Sequence, residues 1–198
     1  MSRIIKLQGV NNITVSGRIA TGASTLAHHI ATKLNWGFFN GGQIFRKYMK
    51  EQGIDIHNSK ARSDKFDLDY EAKLKKMLLS SRHKIFQSHL AGFDAQNVKG
   101  IYKILVICDD EEGNDKTDIR IDRMVNRDGK TIEQAKYEIT EREQQNLEKW
   151  RKLYANNDPD WIYWDKKYYG GTTHRGTEKN ADKFAREYIA TYYTLFGF

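Results

Sequence analysis

The sequence predicts an α/β fold in which a mostly parallel sheet carries helices on both faces. The first observation is that strand-like and helix-like segments alternate along most of the 198 residues. The second is a β-branched segment at 12–16 that runs into a glycine-containing loop and then into a helix with periodic apolar residues. A chain of this length is expected to form a single domain, 1–198, with a substantial core.

The N-terminal half contains two strand signals and three helix signals. Residues 1–11 precede them as an extra segment of extended character, whose role the sequence does not indicate. The first strand is predicted at 12–16 and the second at 36–40, where a pair of glycines closes it. Helices are predicted from their apolar spacing at 22–35, 43–52 and 67–80.

The C-terminal half is predicted to supply the remaining strands, beginning with a short one at 84–88. The apolar run at 101–108 suits a strand that is covered on both faces. A long polar helix is expected at 131–154, opened by a Thr131-x-x-Gln134 capping box, and part of it is expected to cover the site as a mobile element. The remaining predictions are a helix at 115–126, a last strand at 161–164 after Pro159, and an amphipathic helix at 178–195.

Composition and charge narrow the class of protein. With 39% hydrophobic and 30% charged residues the chain is globular rather than disordered, and no apolar run reaches the length of a membrane span. The single cysteine, Cys108, rules out a disulfide framework and predicts a core thiol in a reducing cytoplasm. The net charge of +7 favours polyanionic partners. Because the basic residues are scattered over predicted helix faces, nucleotide phosphates are favoured over nucleic acid.

The loop after the first strand matches most of a phosphate-binding pattern, G-x-x-x-x-G-K-[ST]. Gly17, Gly22 and Ser24 stand at fixed positions, but Ala23 replaces the lysine. Backbone N–H groups of such a loop and of the following helix N-terminus converge on an anion. A strand, a glycine turn and a helix also occur in other α/β proteins, so the pattern alone leaves both interpretations open. The predicted phosphate-binding residues are Gly17, Arg18, Ile19, Ala20, Thr21, Gly22, Ala23, Ser24 and Thr25.

Four further segments resemble archaeal-type cytidylate kinases. Asn40-Gly-Gly-Gln-Ile-Phe-Arg46 resembles the segment that follows the second strand of that family, and Ser88-His-Leu-Ala-Gly-Phe93 resembles its third-strand motif. Residues 118–130, with three arginines, resemble the helix that leads into the family's lid, and residues 141–154 resemble the lid and the helix after it. The resemblance covers about 12–165 with its order and spacing kept.

This resemblance implies the fold of a P-loop nucleoside monophosphate kinase. Such a protein has a five-stranded parallel sheet, a helical arm that binds the monophosphate, here at about 41–80, and a lid, here at about 127–150. The implied reaction transfers the γ-phosphoryl group of ATP to CMP or dCMP with Mg²⁺ present. Small nucleotides are then the expected partners.

The resemblance also implies roles for individual residues. The loop backbone would cradle the donor phosphates, and the Ser24 hydroxyl would ligate Mg²⁺. Arg123, Arg127 and Arg142 would close over the donor and meet charge that develops during transfer. The residues expected to bind the monophosphate are Arg46, His89 and Gly92. From position alone, Asp67 or Asp69 is expected to contact its base.

The residue patterns allow plainer interpretations of the same side chains. Arg120, Arg123 and Arg127 stand at i, i+3 and i+7, so they share a helix face that is equally well a solvated stripe with acidic neighbours. Arg46 is followed by Lys47 and could be surface charge, although its place after the second strand favours a function.

Departures from the family pattern leave more than one outcome open. Ala23 removes the loop lysine, His89 replaces an arginine, and Asn146 with Leu147 replaces an Asp and an Arg of the lid. In one outcome Arg18 curls onto the phosphates and a protonated His89 adds charge beside a dianion, which gives a variant kinase. In another, the chain is a weak or inactive nucleotide-binding sensor or scaffold. A basic nucleic-acid-binding domain is the third hypothesis.

Overall fold

The computed structural model describes residues 3–54, 62–170 and 172–175. At its centre is a five-stranded parallel sheet with the order β2-β3-β1-β4-β5. The predicted α/β class and the parallel sheet are therefore confirmed. The strands are β1 Asn12–Gly17, β2 Gly37–Asn40, β3 Lys84–Gln87, β4 Ile101–Ile107 and β5 Thr173–Arg175.

Helices connect the strands and cover the sheet, as parallel neighbours require. In the described part of the chain, no helix is both long enough and apolar enough to cross a membrane. The α-helices are α1 Ala23–Leu34, α2 Gly41–Glu51, α3 Asp64–Ser80, α4 Ala91–Asp94, α5 Thr117–Asp128, α6 Ile132–Tyr137 and α7 Glu143–Tyr154.

The core lies on both faces of the sheet because its central strands are covered on both sides. Every residue of β1 is buried. On one face, apolar residues of α1 pack against Ile13 and Val15. On the other face, Leu105 of β4 packs with an aromatic cluster that contains Trp150, Trp161, Tyr163, Tyr168 and Tyr169. The two layers fix the position of the loop that leaves β1.

The segment before β1 has a structural role that the sequence did not indicate. The Ile5 N–H donates to the Leu34 carbonyl oxygen over 3.0 Å, at the end of α1. The indole Nε1 of Trp36 donates to the Ile5 carbonyl oxygen over 2.7 Å. Leu7 is buried in the same core cluster. The segment therefore closes the C-terminal end of α1.

The predicted last strand was wrong, since the fifth strand is β5 and not 161–164. The aromatic residues that suggested a strand are buried against α7 and α4 instead. Side chains satisfy carbonyl groups of this segment: Arg151 Nε donates to the Trp161 oxygen and Tyr169 Oη to the Tyr163 oxygen, both over 2.9 Å. The amphipathic helix predicted at 178–195 lies outside the described residues.

The predicted long helix at 131–154 is present as two α-helices separated by a π-helical turn. The Thr131–Gln134 capping box at its start is confirmed. The π-helical turn spans Glu138–Arg142 and lies between α6 and α7. Such turns insert a residue into the helix and often occur at functional sites. Here the turn carries Glu138 and Arg142, which both line the cavity described below.

Candidate active site

The loop between β1 and α1 turns tightly and packs closely against β4. Ala20 and Gly22 have positive φ angles of 61° and 98°, which turn the chain sharply. A Cβ on Gly17 would stand 2.5 Å from Thr21 Oγ1 and 2.7 Å from the Val106 carbonyl oxygen, so only glycine fits there. Among the described residues, no side chain caps the N-terminus of α1. Its first N–H groups are thus available to an anion.

A cavity of about 550 Å³ opens in front of this loop. Its size lies within the range of small-molecule sites. The loop from Gly17 to Ser24 forms one wall. The ends of β2 and β3, the start of α2, and the segment from α5 to the π-helical turn form the others. The residues by which these segments line the cavity are Asn40, Gly42, Arg46, Gln87, His89, Met124, Arg127, Asp128, Lys130, Glu138 and Arg142.

Arg18 belongs to the loop wall of the cavity, but carboxylates engage its guanidinium group, which is not directed at a phosphate as we expected. Its Nε and Nη2 donate to Glu143 Oε1 over 2.8 and 2.6 Å, and its Nη1 lies 3.2 Å from Asp115 Oδ1. The guanidinium group also stacks on the Trp164 ring, 4.6 Å from its centre. Carboxylates engage all three guanidinium nitrogens, so the positive charge is neutralised at the back of the loop.

Arg120 and Arg123 hold the loop from the same side. Arg120 is fully buried, and its Nε donates to the Ile19 carbonyl oxygen over 2.7 Å. Its other two nitrogens donate to Asp115 and Glu143 over 2.7 and 2.6 Å. Arg123 Nη1 donates to the carbonyl oxygens of Ala20 and Thr21, each over 3.2 Å. Arg123, expected to be catalytic, does not line the cavity and instead positions the loop backbone.

Glu143 is the acidic partner that sequence reasoning missed. Its carboxylate is buried and accepts hydrogen bonds from Arg18 and Arg120. Its Oε2 also accepts the Ile19 N–H over 3.0 Å. The sequence did contain a sign that Glu143 has a function, because this residue belongs to the segment that resembles the kinase lid. Its partner in the loop is 125 residues away, so no local pattern predicts the pairing.

The cavity side carries a second group of positive charges. Arg127 donates through Nε and Nη2 to its neighbour Asp128 over 2.7 and 2.8 Å. Lys130 Nζ donates to Glu138 Oε1 over 3.0 Å, and Arg142 pairs with the other oxygen of Glu138. Burial alone would raise the pKa of Glu138, but Arg142 and Lys130 outweigh it and hold that pKa below its usual value.

Arg46 faces these charges from α2. Its Nη1 lies beside Gly42 at the start of the helix. Loss of hydration, followed by the positive charge of Arg142, lowers the pKa of Arg46. Guanidinium groups from both sides of the cavity therefore raise the local positive potential, which favours a polyanionic ligand.

His89 borders both the cavity and the loop. Its Nδ1 lies 2.8 Å from the Gly17 carbonyl oxygen, which only accepts, so Nδ1 carries the proton. Burial lowers the pKa of His89, while the contact with Gly17 opposes that shift. Burial is the larger effect, so the fold favours the neutral imidazole. The protonated form that we expected needs the dianion to stabilise it.

Two residues expected to bind the acceptor do not line this cavity. A Cβ on Gly92 would stand 2.0 Å from Cε1 of Tyr169, so this glycine is required for packing. Asp67 is buried and accepts Arg62 Nε over 2.9 Å, and Lys149 Nζ lies 3.0 Å from its other oxygen. Its carboxylate joins α3 to α7 and is already paired.

The cavity lining includes polar residues to which the sequence analysis gave no role. Asn40 lines it and also caps α2, since its Oδ1 accepts the Gln43 N–H over 3.0 Å. Gln87 stands at the end of β3, and Lys130 lies between two capped helices. A signal existed for the first two, because polar residues that end parallel strands face the ligand edge of the sheet.

Comparison with known proteins identifies the family. No family model matches the chain. The cytidylate kinase of Haloarcula marismortui is 30% identical over 156 residues, which are 77% of each chain. This chain belongs to the cytidylate kinase family. Two other cytidylate kinases, from Saccharolobus islandicus and Methanopyrus kandleri, are 29% and 27% identical over 146 and 163 residues. These matches cover 72% and 77% of this chain, and 73% and 81% of the relatives.

Solved structures of P-loop kinases support the fold of this cytidylate kinase family member. A shikimate kinase from Acinetobacter baumannii aligns over 96% of both chains with a TM-score of 0.58 and 14% identity. A gluconokinase from Sinorhizobium meliloti covers 96% of this chain and 95% of its own, with a TM-score of 0.56 and 13% identity. At such low identity these likenesses show the fold alone.

Proposed function

We propose that this protein transfers the γ-phosphoryl group of ATP to CMP or dCMP. The observation that carries the proposal is that the glycine loop and a set of cationic side chains face one cavity, where two phosphate-bearing ligands can meet. The names of the relatives support the pyrimidine acceptor. An oxygen of the monophosphate bonds to the γ-phosphorus while the bond to ADP breaks, giving a nucleoside diphosphate and ADP.

The donor side of the proposed site is the loop backbone from Gly17 to Ser24. As far as the structure describes the chain, the N-terminus of α1 has no side-chain cap and opens onto the cavity, so its N–H groups fit a phosphate group. Mg²⁺ bound with ATP would neutralise phosphate charge, and the Ser24 hydroxyl is proposed as its ligand. Within the described ranges, no group of three or more metal-ligating side chains occurs. That agrees with an ion held largely by phosphate oxygens and water, as is usual for Mg²⁺.

The acceptor side is proposed to comprise Arg46 and His89. A planar guanidinium group can bind two phosphate oxygens at once, which fixes the orientation of the monophosphate. Arg127 and Arg142 are proposed to approach from the lid and to meet the negative charge on the transferred group. The division into an arm at about 41–80 and a lid at about 127–150 remains part of this proposal.

The test is a coupled ADP-release assay with ATP, Mg²⁺ and each nucleoside monophosphate in turn. We expect turnover with CMP or dCMP, and a fall in kcat/KM of about 100-fold or more in Arg46→Ala. Lys47→Ala is the matched control, since Lys47 is exposed, lies next in the chain and pairs with Glu51 over 3.8 Å. It should leave kcat/KM within about twofold of the original protein. Ser24→Ala should lower the rate and weaken the response to Mg²⁺.

Two results would contradict the proposal. Equal rates in Arg46→Ala and Lys47→Ala would remove Arg46 from the acceptor site. An absence of turnover with every acceptor, while ATP or CMP still raises the melting temperature, would assign the chain to the ligand-binding sensors or scaffolds.

A further inference from the structure

The glycine loop lacks a cationic side chain directed at the donor. Ala23 stands where the loop pattern has lysine, and it lines the cavity. Arg18 is the loop's single charged residue between 17 and 25. Glu143 and Asp115 already neutralise it behind the loop. A polyphosphate bound there would meet backbone N–H groups without a positive side chain from the loop itself.

Lys130 projects into the same cavity from the opposite wall. Among the described residues, it is the one lysine that lines this cavity. Gly22, Ala23 and Ser24 of the loop line the same cavity. Gly129 ends α5 in the left-handed conformation at φ 63°, and Thr131 begins the capping box of α6. Capped helices on both sides thus hold the backbone of Lys130 in place.

The charges around Lys130 leave it able to bind an anion. Glu138 forms ion pairs with both Lys130 and Arg142, so these three residues together carry one net positive charge. Arg127 differs, because Asp128 is its own carboxylate partner through two hydrogen bonds. An ammonium group has three N–H donors, and Glu138 Oε1 takes one from Lys130. Two donors remain for phosphate oxygens.

We propose that Lys130 is a catalytic residue that supplies, from the other side of the cavity, the cation missing from the loop. It binds the donor phosphates and stabilises the charge that develops as the γ-phosphoryl group moves. Glu138 orients the ammonium group before the nucleotide arrives. The inference rests on the proposed phosphotransferase function, and it gives Lys130 the task that we first expected of Arg18.

The test compares Lys130→Met, Lys130→Arg and the double variant Ala23→Lys/Lys130→Met. Lys130→Met should lower kcat about 100-fold, change the KM for CMP by less than about threefold, and weaken ATP binding measured by calorimetry without acceptor. Lys130→Arg should recover part of both losses because it keeps the charge. The double variant should recover at least about tenfold in kcat.

The matched control is Lys136→Met. Lys136 is an exposed lysine of α6 that does not line the cavity, so this variant should behave as the original protein.

Several outcomes decide the matter. Unchanged kcat and ATP affinity in Lys130→Met, or an equal loss in Lys136→Met, would overturn the proposal. If the double variant does not fold, the Lys130→Arg and calorimetric results still decide it. If the original protein shows no turnover, the phosphotransferase function fails while the calorimetric comparison remains. In that case, ATP binding that is weakened in Lys130→Met but unchanged in Lys136→Met would keep Lys130 as a nucleotide-binding residue.

Discussion

Two groups of positive charges surround the same loop and differ in what they contact. Behind the loop, Arg18, Arg120 and Arg123 donate to loop carbonyl oxygens or to buried carboxylates. In front of it, Arg46, Arg127, Lys130 and Arg142 line the cavity. The first group contacts the loop and the carboxylates that hold it. The second group lines space for a ligand, and Asp128 and Glu138 pair with three of its members. Charge alone therefore does not identify a catalytic cation, because its partners decide its task.

Helix α5 shows the difference within a single element. Arg120, Arg123 and Arg127 share its face. The resemblance implied catalytic roles for Arg123 and Arg127, and the residue pattern allowed a solvated stripe for all three. Arg120 is fully buried beneath the loop, while the side chain of Arg127 is 54% exposed at the end of the helix. Within two turns of the same helix face, an arginine that supports the loop is followed by an arginine that lines the cavity.

The largest expected effect tests the group behind the loop. Arg120→Met removes three hydrogen-bonded contacts of a fully buried guanidinium group and leaves Glu143 and Asp115 short of a partner. We expect the free energy of unfolding to fall by about 3–5 kcal/mol, measured by urea denaturation. Arg127→Met, on the same helix, should change it by less than about 1 kcal/mol. Equal losses in the two variants would erase the distinction between the groups.

Arg18 provides the second test. Arg18→Met removes charge-assisted hydrogen bonds to Glu143 that are only partly exposed, so the free energy of unfolding should fall by about 2 kcal/mol. ATP affinity should change less than it does in Lys130→Met. Loss of turnover with an unchanged unfolding curve would instead return Arg18 to the cavity side, as the sequence first suggested.

Arg127 tests whether a cation in front of the loop contributes to catalysis when it is already paired with a carboxylate. Asp128 raises the pKa of Arg127 by hydrogen bonding and neutralises much of its charge at a half-exposed position. Arg127→Ala should therefore lower kcat/KM only about tenfold, which corresponds to roughly 1.4 kcal/mol. A loss as large as that of Arg46→Ala would mean that the pair with Asp128 opens when nucleotide binds.

The smallest expected effect concerns His89 and pH. Since burial lowers the pKa of His89 in the fold, the unfolded chain binds this proton more readily. Stability is therefore lost as pH falls below the unfolded value of about 6.5 towards the lower folded pKa. A phosphate dianion beside the ring should raise that pKa. Calorimetric titration of CMP at pH 6 in two buffers should therefore show more proton uptake in the original protein than in His89→Gln. Identical uptake would place His89 away from the phosphate. The comparison with the variant cancels the titration of CMP itself.

Local patterns were sufficient for most of the architecture. The alternation of strands and helices, the glycine loop and the Thr131 capping box were all predicted, because each depends on residues close together in the chain. The last strand was misplaced, since the aromatic segment at 161–164 has strand-like composition but is buried by contacts with distant helices.

The sequence by itself determined that a glycine loop with most of a phosphate-binding pattern, but without its lysine, follows the first strand. Only the tertiary structure decided where the charges around it point. Arg18 turns to Glu143, which is 125 residues away, Gly92 makes room for Tyr169, and Lys130 faces the loop across the cavity. Backbone conformation follows from neighbouring residues, whereas a charged side chain chooses among partners that folding brings together from the whole chain.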